Sequence, residues 1–411
     1  MKKYFPLFWV FYLLCAFSAH AGEGRYTIPL TGGGWSLWLD KEASWQNDRL
    51  YLPHEITDLS LLPVNVPTGG WQTLSHNPDA VPVEVPGTVE EYLTVTDNPR
   101  PENFRGVSWW YRKITIPADQ QKKRFIIYFE SVRMRAEVYL DGKLVAYDLI
   151  GETPFHVDIT DEAKPGKEQL LAIRVTNPGG NFHWQDFDIM KWGEYNIPPS
   201  RSFTGIIGRV KLESVNPVFI SDIYMQNTPE LTKVNAILSF TNETSSSVKQ
   251  DVELIVNEKG NPDKVVFRQT LKAISFPAGN HEVTIPVNVP DAKLWDLSTP
   301  ELYTCNVLIK KGKKTLDQDK KDFGFRWFTV DGVGKDAVLR LNGRRIMLRS
   351  AISWGYFPVT GLIATTEMAE KQVRTAKSLG LNMLNFHRCI GSPVVLEKAD
   401  ELGSVSYTHL R

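Results

Sequence analysis

Cysteine is scarce in this 411-residue sequence, which contains three, and it has neither a CxxC motif nor a His-rich cluster. These absences argue against a structural zinc site and against a fold held together by several disulfides. Removal of an N-terminal leader would leave Cys305 and Cys389, which lie on strand-like runs in different predicted domains. We therefore predict two buried thiols, with a disulfide between them as the less favoured alternative.

The sequence also lacks an excess of charge of either sign, since Lys plus Arg and Asp plus Glu both number 47. A balanced charge gives no reason to expect nucleic acid or an anionic membrane as a partner. It does not bear on the oligomeric state, which the sequence leaves open.

One apolar run stands out, at residues 5–17. It follows Lys2-Lys3 and precedes the small-x-small triplet at residues 19–21. This pattern is typical of a secretory signal peptide, and the run is too short for a permanent membrane span. A lipoprotein signal at Cys15 is the alternative that we rank lower, because Cys15 lies inside the apolar run. We expect residues 1–21 to be a signal peptide cleaved after Ala21, and the mature chain to be secreted or periplasmic.

Residues 22–215 contain many short alternating runs separated by turn signals, with almost no helical periodicity. The runs lie at 35–40, 83–87, 109–116, 124–130, 136–140, 143–147, 155–159 and 170–175. This pattern predicts a β-sandwich of the jelly-roll type, with the Pro- and Gly-rich segment 50–77 as a loop.

Residues 216–328 also show a β pattern, but their alternating runs are spaced differently from those of residues 22–215. Alternating runs at 234–240, 251–256, 281–287 and 303–309 are spaced like those of an immunoglobulin-like sandwich. The lysine cluster at residues 310–314 is most simply a solvated hairpin turn.

Residues 329–403 change to a strand–helix pattern. A hairpin with the Asn342-Gly343 turn comes first. A helix then runs from Thr365 to Gly380, an apolar strand covers 381–387, and a second helix runs from Ser392-Pro393 to Gly403. Met368, Ala376 and Leu379 are predicted to share one face of the first helix. This order predicts the opening of a parallel α/β barrel or doubly wound sheet.

These motifs resemble glycoside hydrolase family 2. Three motifs resemble the start of its catalytic barrel, namely LNGRRIMLR, AKSLGLNMLNFHR and LEKADELG. Three others resemble its sugar-binding domain, namely WWYRKITIP, AEVYLDGKLVAYDLIGETPFHVDIT and SFTGIIGRVKLES. LWDLSTPELY and KDFGFRW resemble the signatures of its middle domain. The resemblance implies a jelly-roll sugar-binding domain at 22–215, an immunoglobulin-like sandwich at 216–328 and the truncated start of a (β/α)₈ TIM barrel at 329–403. It also implies a retaining glycosidase that acts on β-linked glycans, with a carbohydrate as partner. We predict no cofactor, although Asp186 and Asp188 could hold a cation, as in some of the family's β-galactosidases.

The resemblance points first to the loop at residues 181–192 as a substrate-binding element. In the family's β-galactosidases a loop at this place reaches into the mouth of the active site. Asp186 or Asp188 would accept hydrogen bonds from sugar hydroxyls, and Trp184 or Trp192 would offer a stacking face. The alternative is an ordinary loop whose Trp residues pack on the jelly roll.

Two further places complete the predicted substrate site. Arg388 matches the Arg of the family's R-x-S-H-Y-P motif, whose His is absent here, so His387 either replaces that His or packs. Arg388 itself is either a substrate ligand or an ion-pairing residue. Trp354 lies where the galactosidases carry N-R-H-E-H-H-P. Because those histidines are absent, the sugar specificity does not follow from the sequence.

The family's two catalytic glutamates belong to later barrel strands. The residues from 329 onward are far fewer than the ~250 of a complete barrel, so we expect the catalytic pair to lie beyond this sequence and the 411-residue chain to be inactive. Glu397 and Glu401 are read as solvent-facing helix residues. Residues 404–411 resemble translated adapter sequence and are expected to be foreign to the fold. The alternative function is a non-catalytic carbohydrate-binding or adhesion protein, which would have no use for residues 341–403.

Overall fold

The computed structural model describes residues 24–45, 58–93, 104–177, 190–192, 195–197, 203–355, 357, 362–387 and 389–409. Over these ranges the chain forms two antiparallel β-sandwiches, a short hairpin sheet and a parallel α/β unit.

The first sandwich comprises fourteen strands and one short helix of the described residues. They are β1 (Tyr26–Pro29), β2 (Gly32–Asp40), β3 (Val81–Val85), α1 (Val89–Tyr92), β4 (Gly106–Thr115), β5 (Arg124–Phe129), β6 (Val132–Arg133), β7 (Arg135–Leu140), β8 (Lys143–Asp148), β9 (Phe155–Asp158), β10 (Glu168–Asn177), β11 (Met190–Trp192), β12 (Tyr195–Ile197), β13 (Gly205–Ile206) and β14 (Val210–Val215). A six-stranded sheet, β3-β2-β4-β10-β7-β8, faces a four-stranded sheet, β1-β14-β5-β9.

The core of this sandwich follows from the period of two in its strands. Trp110, Val138 and Ile173 point inward from three neighbouring strands of the larger sheet and meet Ile127 of the smaller one, and all four are fully buried. The eight runs predicted as strands in this region all fall on observed strands.

The opposite face of the six-stranded sheet is covered by the described part of the predicted loop, residues 58–77. Trp71 from this segment packs on Trp109 and Tyr139, with ring centroids 5.6 and 5.0 Å away. Asn65 donates a hydrogen bond to the buried carboxylate of Glu137, with Nδ2 and Oε1 2.7 Å apart. The segment is therefore packed against the sheet, although it contains no strand.

The second sandwich is built from seven strands. They are β15 (Val218–Asn227), β16 (Lys233–Asn242), β17 (Val248–Glu258), β18 (Val265–Phe276), β19 (Gly279–Asn288), β20 (Tyr303–Lys311) and β21 (Lys314–Phe323). Sheets β15-β16-β19 and β18-β17-β20-β21 enclose a core that includes Phe240, Phe276 and Cys305. The pattern predicted β16, β17, β19 and β20 but not β15, β18 or most of β21. Strands β18 and β21 are the outer strands of their sheet. In β21, six of ten residues are charged, which obscures its alternation. In β18, the apolar run 265–267 and the polar run 268–270 break the alternation.

A three-stranded hairpin sheet follows, consisting of β22 (Phe328–Asp331), β23 (Val338–Leu341) and β24 (Arg344–Arg345). Asn342 and Gly343 connect the last two strands with φ angles of 52° and 76°. Both angles lie in the left-handed region that a type I′ turn requires, so the predicted turn is confirmed.

The last unit consists of β25 (Ser350–Ser353), α2 (Thr366–Ser378), β26 (Met383–His387), α3 (Pro393–Leu402) and β27 (Val405–His409). The three strands are parallel, in the order β25-β26-β27. Thr365 caps α2 by accepting a hydrogen bond from Met368 N at 3.2 Å, and Gly403 ends α3 with φ 74°. The predicted boundaries of both helices are thereby confirmed.

Two predictions for this region are wrong. Leu379 is 73 % exposed, because it follows the last residue of α2 and Leu381 packs against the core instead. Residues 404–411 were expected to be foreign to the fold, yet Val405–His409 pair in register with Met383–His387. Val, Tyr and Thr favour extended backbone, and the left-handed Gly403 turns the chain directly into the sheet.

The parallel sheet is covered on one face only within the described residues. Helices α2 and α3 pack through Ala369, Val373 and Val395 onto Leu384 and Phe386. On the other face, Ile352 and Tyr407 are 55 % and 54 % exposed.

Candidate functional site

The carboxyl edge of the parallel strands is the candidate ligand-binding site, because ligands bind at this edge in α/β folds. Strand β25 leads into the half-buried Trp354, and β26 ends at His387. Strand β27 ends at His409, which the strand register places opposite His387.

The structure describes only some of the residues predicted to bind substrate. Trp354 lies at this edge. Trp192 ends β11, where it pairs with Tyr195 of β12, and His387 ends β26, but the side chains of Trp192 and His387 are not described. The remaining predicted residues lie outside the described residues; they are Trp184, Asp186, Asp188 and Arg388. The sugar-binding roles of all seven therefore stay predictions.

A cavity of about 170 Å³ lies beside this edge, between the first sandwich and the α/β unit. Its apolar wall includes Phe357, Phe386 and Val395. Its polar groups include Gln372 and Ser353, whose Nε2 and Oγ atoms are 3.2 Å apart in a hydrogen bond that Gln372 donates. Sequence reasoning did not find this cavity, since it depends on contact between domains far apart in the chain.

Two carboxylates line the cavity from the side of the first sandwich, and both are ion-paired. Glu130 accepts hydrogen bonds from Arg209 Nε at 3.0 Å and Arg209 Nη2 at 2.7 Å, while Glu152 pairs with Arg133. The α/β residues described at this cavity include no Asp or Glu. The described part of this edge therefore lacks the two facing carboxylates that glycoside hydrolysis requires.

Arg209 also links the first sandwich to the α/β unit. Its Nη2 lies 2.7 Å from Glu397 Oε1 on α3, in addition to the contacts with Glu130. Burial opposes the charge on Arg209, but hydrogen bonds to Glu397 and Glu130 outweigh it and raise the pKa of the guanidinium. Glu397 is 50 % exposed, so the prediction that it faces solvent is confirmed, and it also forms this ion pair.

Helix α3 makes a second set of contacts with the immunoglobulin-like sandwich. Arg326 Nη1 lies 2.6 Å from Asp400 Oδ1, and the indole of Trp295 donates to the backbone oxygen of Asp400 at 2.7 Å. Glu401, the other residue predicted to face solvent, lies 2.9 Å from Lys259 Nζ and is one-third exposed. These contacts hold the end of α3 against the immunoglobulin-like sandwich.

Lys377 of α2 completes this junction. Its ammonium donates to the backbone oxygens of Leu297 at 2.6 Å and Gly403 at 3.0 Å, and also to that of Leu402. Burial lowers its pKa. The lysine therefore binds the loop before β20 to the end of α3.

Both cysteines of the described chain are buried free thiols, so the predicted pair of thiols is confirmed. Burial raises the pKa of Cys305 to about 12. Within the described ranges, no group of three or more His, Cys, Asp or Glu residues is arranged to hold a metal ion. Among those same residues, no helix has the length and apolar character needed to cross a membrane.

Comparison with known proteins identifies the family. Residues 33–196 match the model of the glycosyl hydrolases family 2 sugar-binding domain, and residues 218–326 match a second model of glycosyl hydrolases family 2. The chain belongs to glycoside hydrolase family 2.

Individual relatives agree with this assignment. A beta-glucuronidase from Formosa agariphila is 25 % identical over 320 residues, which cover 74 % of this chain and 32 % of the relative. A beta-galactosidase from Thermoanaerobacterium thermosulfurigenes is 27 % identical over 305 residues, which cover 72 % of this chain and 40 % of the relative. The chain thus spans well under half of the length of either relative.

A solved structure shows that the fold is shared. The family 2 glycosyl hydrolase from Bacteroides cellulosilyticus superposes with a TM-score of 0.71 at 19 % identity, covering 92 % of this chain and 47 % of that chain. The superposition supports the fold alone.

Proposed function

We propose that this chain supplies the sugar-binding domain, the immunoglobulin-like domain and the first strands of the catalytic (β/α)₈ barrel of an exported retaining glycoside hydrolase acting on β-linked glycans. The observation that carries the proposal is the parallel order β25-β26-β27, with α2 and α3 packed on one face, in a chain of family 2.

The uncovered face of the sheet is consistent with this proposal. In a closed barrel, one face of each strand packs against helices and the other fills the barrel interior with side chains. Ile352 and Tyr407 lie on the face away from the helices and are more than half exposed. In the proposed enzyme they would pack against side chains of further barrel strands.

The proposed chemistry needs two carboxylates about 5–5.5 Å apart, one as acid/base and one as nucleophile. The described residues at the carboxyl edge provide no such pair, so we place both catalytic glutamates on barrel strands outside this sequence. The nucleophile would form the covalent glycosyl-enzyme while the acid protonates the leaving oxygen, and water would then release the sugar with retained configuration.

The residues of this chain would then bind and orient the sugar. Asp186 and Asp188 are proposed to accept hydrogen bonds from its hydroxyls, and Trp184 and Trp192 to stack on its C–H faces. Trp354, His387 and Arg388 are proposed to line the mouth from the barrel side. The ion pairs of Arg209 support this proposal, because they join the two domains that would form opposite walls of the mouth.

Substitutions in the enzyme encoded by the continuing reading frame test these roles. Asp186→Ala and Asp188→Ala should raise KM for an aryl β-glycoside about tenfold, as expected for loss of ~1.4 kcal/mol of substrate binding. Asp263→Ala, on an exposed loop of the immunoglobulin-like sandwich, is the matched control and should leave KM unchanged. Unchanged KM in both loop variants would remove the loop from the proposed site.

Export has its own test. Expression with the leader in a bacterial host, followed by N-terminal sequencing of the exported chain, should give Gly22 as the first residue. A chain retained in the cytoplasm with Met1 in place would refute this part of the proposal.

A further inference from the structure

A wide groove lies at the amino-terminal edge of the parallel strands, between the immunoglobulin-like sandwich and the α/β unit. Its volume is about 610 Å³. The residues that line it come from β15, from the segment at 326–328, from the end of α3 and from the start of β27. The cavity beside Glu130 lies at the opposite edge of these strands.

The groove exposes aromatic rings. Tyr224 and Phe328 line it and are 54 % and 41 % exposed. Among the large hydrophobic residues that the structure describes as exposed, only one other, Tyr407, is aromatic. The half-buried Trp327 lies beside them in the same groove. Because aromatic rings are usually buried in stable sandwiches, two exposed rings in one groove indicate a binding surface.

Amide groups accompany these rings. The Oε1 atom of Gln226 accepts from Asn235 at 3.4 Å, and the Oδ1 atom of Asn227 accepts from the backbone nitrogen of Arg326 at 3.2 Å. The Nε2 atom of Gln226 and the Nδ2 atom of Asn227 have no hydrogen-bond acceptor within the described chain. Both amides can therefore donate to a ligand.

The charges in the groove cancel. Arg326 lies over the ring of Trp295, 4.5 Å from its centroid, and pairs with Asp400 at 2.6 Å. The pair is partly exposed, with side-chain fractions of 32 % and 41 %. It therefore offers polar contacts to a ligand without favouring a net charge of either sign.

We propose that this groove binds an uncharged stretch of a polysaccharide. Pyranose rings combine apolar C–H faces, which stack on aromatic rings, with hydroxyls that accept from amides and donate to carboxylates. Tyr224 and Phe328 provide the stacking faces, Gln226 and Asn227 the donors, and Asp400 an acceptor. The groove would hold glycan on the chain independently of any hydrolysis.

Affinity electrophoresis of the 411-residue chain tests the proposal with three neutral polysaccharides, galactan, mannan and xylan, and with polygalacturonate as the anionic probe. At least one neutral polysaccharide should retard the chain. Tyr224→Ala and Phe328→Ala should each weaken binding of the corresponding oligosaccharide about tenfold in isothermal titration calorimetry.

Val265→Ala is the matched control, since Val265 is as exposed as Phe328 and lies on the same sandwich as Tyr224 but outside the groove. It should bind like the unaltered chain. The proposal is overturned by no retardation with any neutral polysaccharide, by retardation with polygalacturonate alone, or by equal binding of the Tyr224 and Phe328 variants. Loss of self-association in Tyr224→Ala without any glycan effect would instead make the groove a contact between copies. Because the assay measures binding alone, its outcome is independent of the proposed hydrolysis.

Discussion

The ion pair of Arg25 makes the sharpest prediction about how the two sandwiches are joined. Arg25 lies just before β1, and its Nε and Nη2 atoms are 3.1 and 3.0 Å from the two carboxylate oxygens of Asp317 on β21. The side chains of Arg25 and Asp317 are 9 % and 0 % exposed. Oδ2 of Asp317 also accepts a hydrogen bond from Ile220 N at 2.7 Å. This is a buried, two-point ion pair between domains.

The substitution Arg25→Met would leave the Asp317 carboxylate buried without its counter-ion. Removing one partner of a buried pair costs ~3–5 kcal/mol. We expect a loss of at least about 3 kcal/mol at neutral pH. The Ile220 N–H still donates to Asp317, but Glu213 and Asp319 also lose their ion pairs with Arg25.

The loss should also depend on pH. Burial raises the pKa of Asp317 even in the presence of Arg25, so without the arginine the folded state takes up a proton more readily than the unfolded state. A group whose pKa is raised on folding adds stability as the pH falls and loses it as the pH rises. The destabilisation by Arg25→Met should therefore be smaller at about pH 5 than at neutral pH.

Urea unfolding followed by tryptophan fluorescence measures both effects. Arg268→Met is the matched control, because Arg268 pairs with Glu253 but is 52 % exposed, and it should cost at most about 1 kcal/mol. A double-mutant cycle with Asp317→Asn should give a coupling free energy of about 2 kcal/mol. An Arg25→Met loss no larger than that of Arg268→Met at neutral pH would refute this reasoning.

Three further predictions concern a glycine, a histidine and a thiol. Gly403→Ala should destabilise the chain by at least ~2 kcal/mol in urea unfolding, whereas the control Gly380→Ala should cost ~1 kcal/mol. Both glycines have positive φ, but of the two only Gly403 would bring a Cβ into overlap with backbone atoms. Equal losses in the two variants would contradict this prediction. Burial lowers the pKa of His156, so the unfolded state binds more protons and stability should fall as the pH drops below about 6.5. His156→Phe should remove that part of the pH dependence while the control His281→Phe keeps it, and identical profiles would refute the assignment. The thiol of Cys305 should not react with a disulfide reagent until the chain unfolds, and rapid native labelling at this residue would contradict its burial.

Features set by local chemistry could be predicted from the sequence. The Asn342-Gly343 turn requires two residues with positive φ, and few residue pairs other than Asn-Gly supply them. Ser392-Pro393 starts α3 because Pro fits the first helical turn, and Gly403 ends it because glycine adopts the left-handed conformation readily. These signals lie within a few residues of the feature that they define.

Features set by contacts between distant residues could not be predicted. Glu397 and Glu401 look like solvated helix residues, and their partners Arg209 and Lys259 are more than a hundred positions away in the sequence. The same holds for the groove at Tyr224, whose residues come from segments that no local pattern connects. Strand β18 was not predicted for another reason: it is an edge strand, and its apolar run 265–267 followed by the polar run 268–270 does not alternate.

We propose that this chain is part of a retaining β-glycosidase whose catalytic glutamates lie on later barrel strands. The most direct test is to express the protein from the reading frame that continues past the codon for Gly403. Proton NMR then follows its hydrolysis of an aryl β-glucuronide, β-galactoside and β-mannoside. We predict turnover of at least one substrate with the β-anomer released first, and no turnover by the 411-residue chain. An inert longer protein, a first product of α configuration, or hydrolysis by the 411-residue chain itself would contradict it.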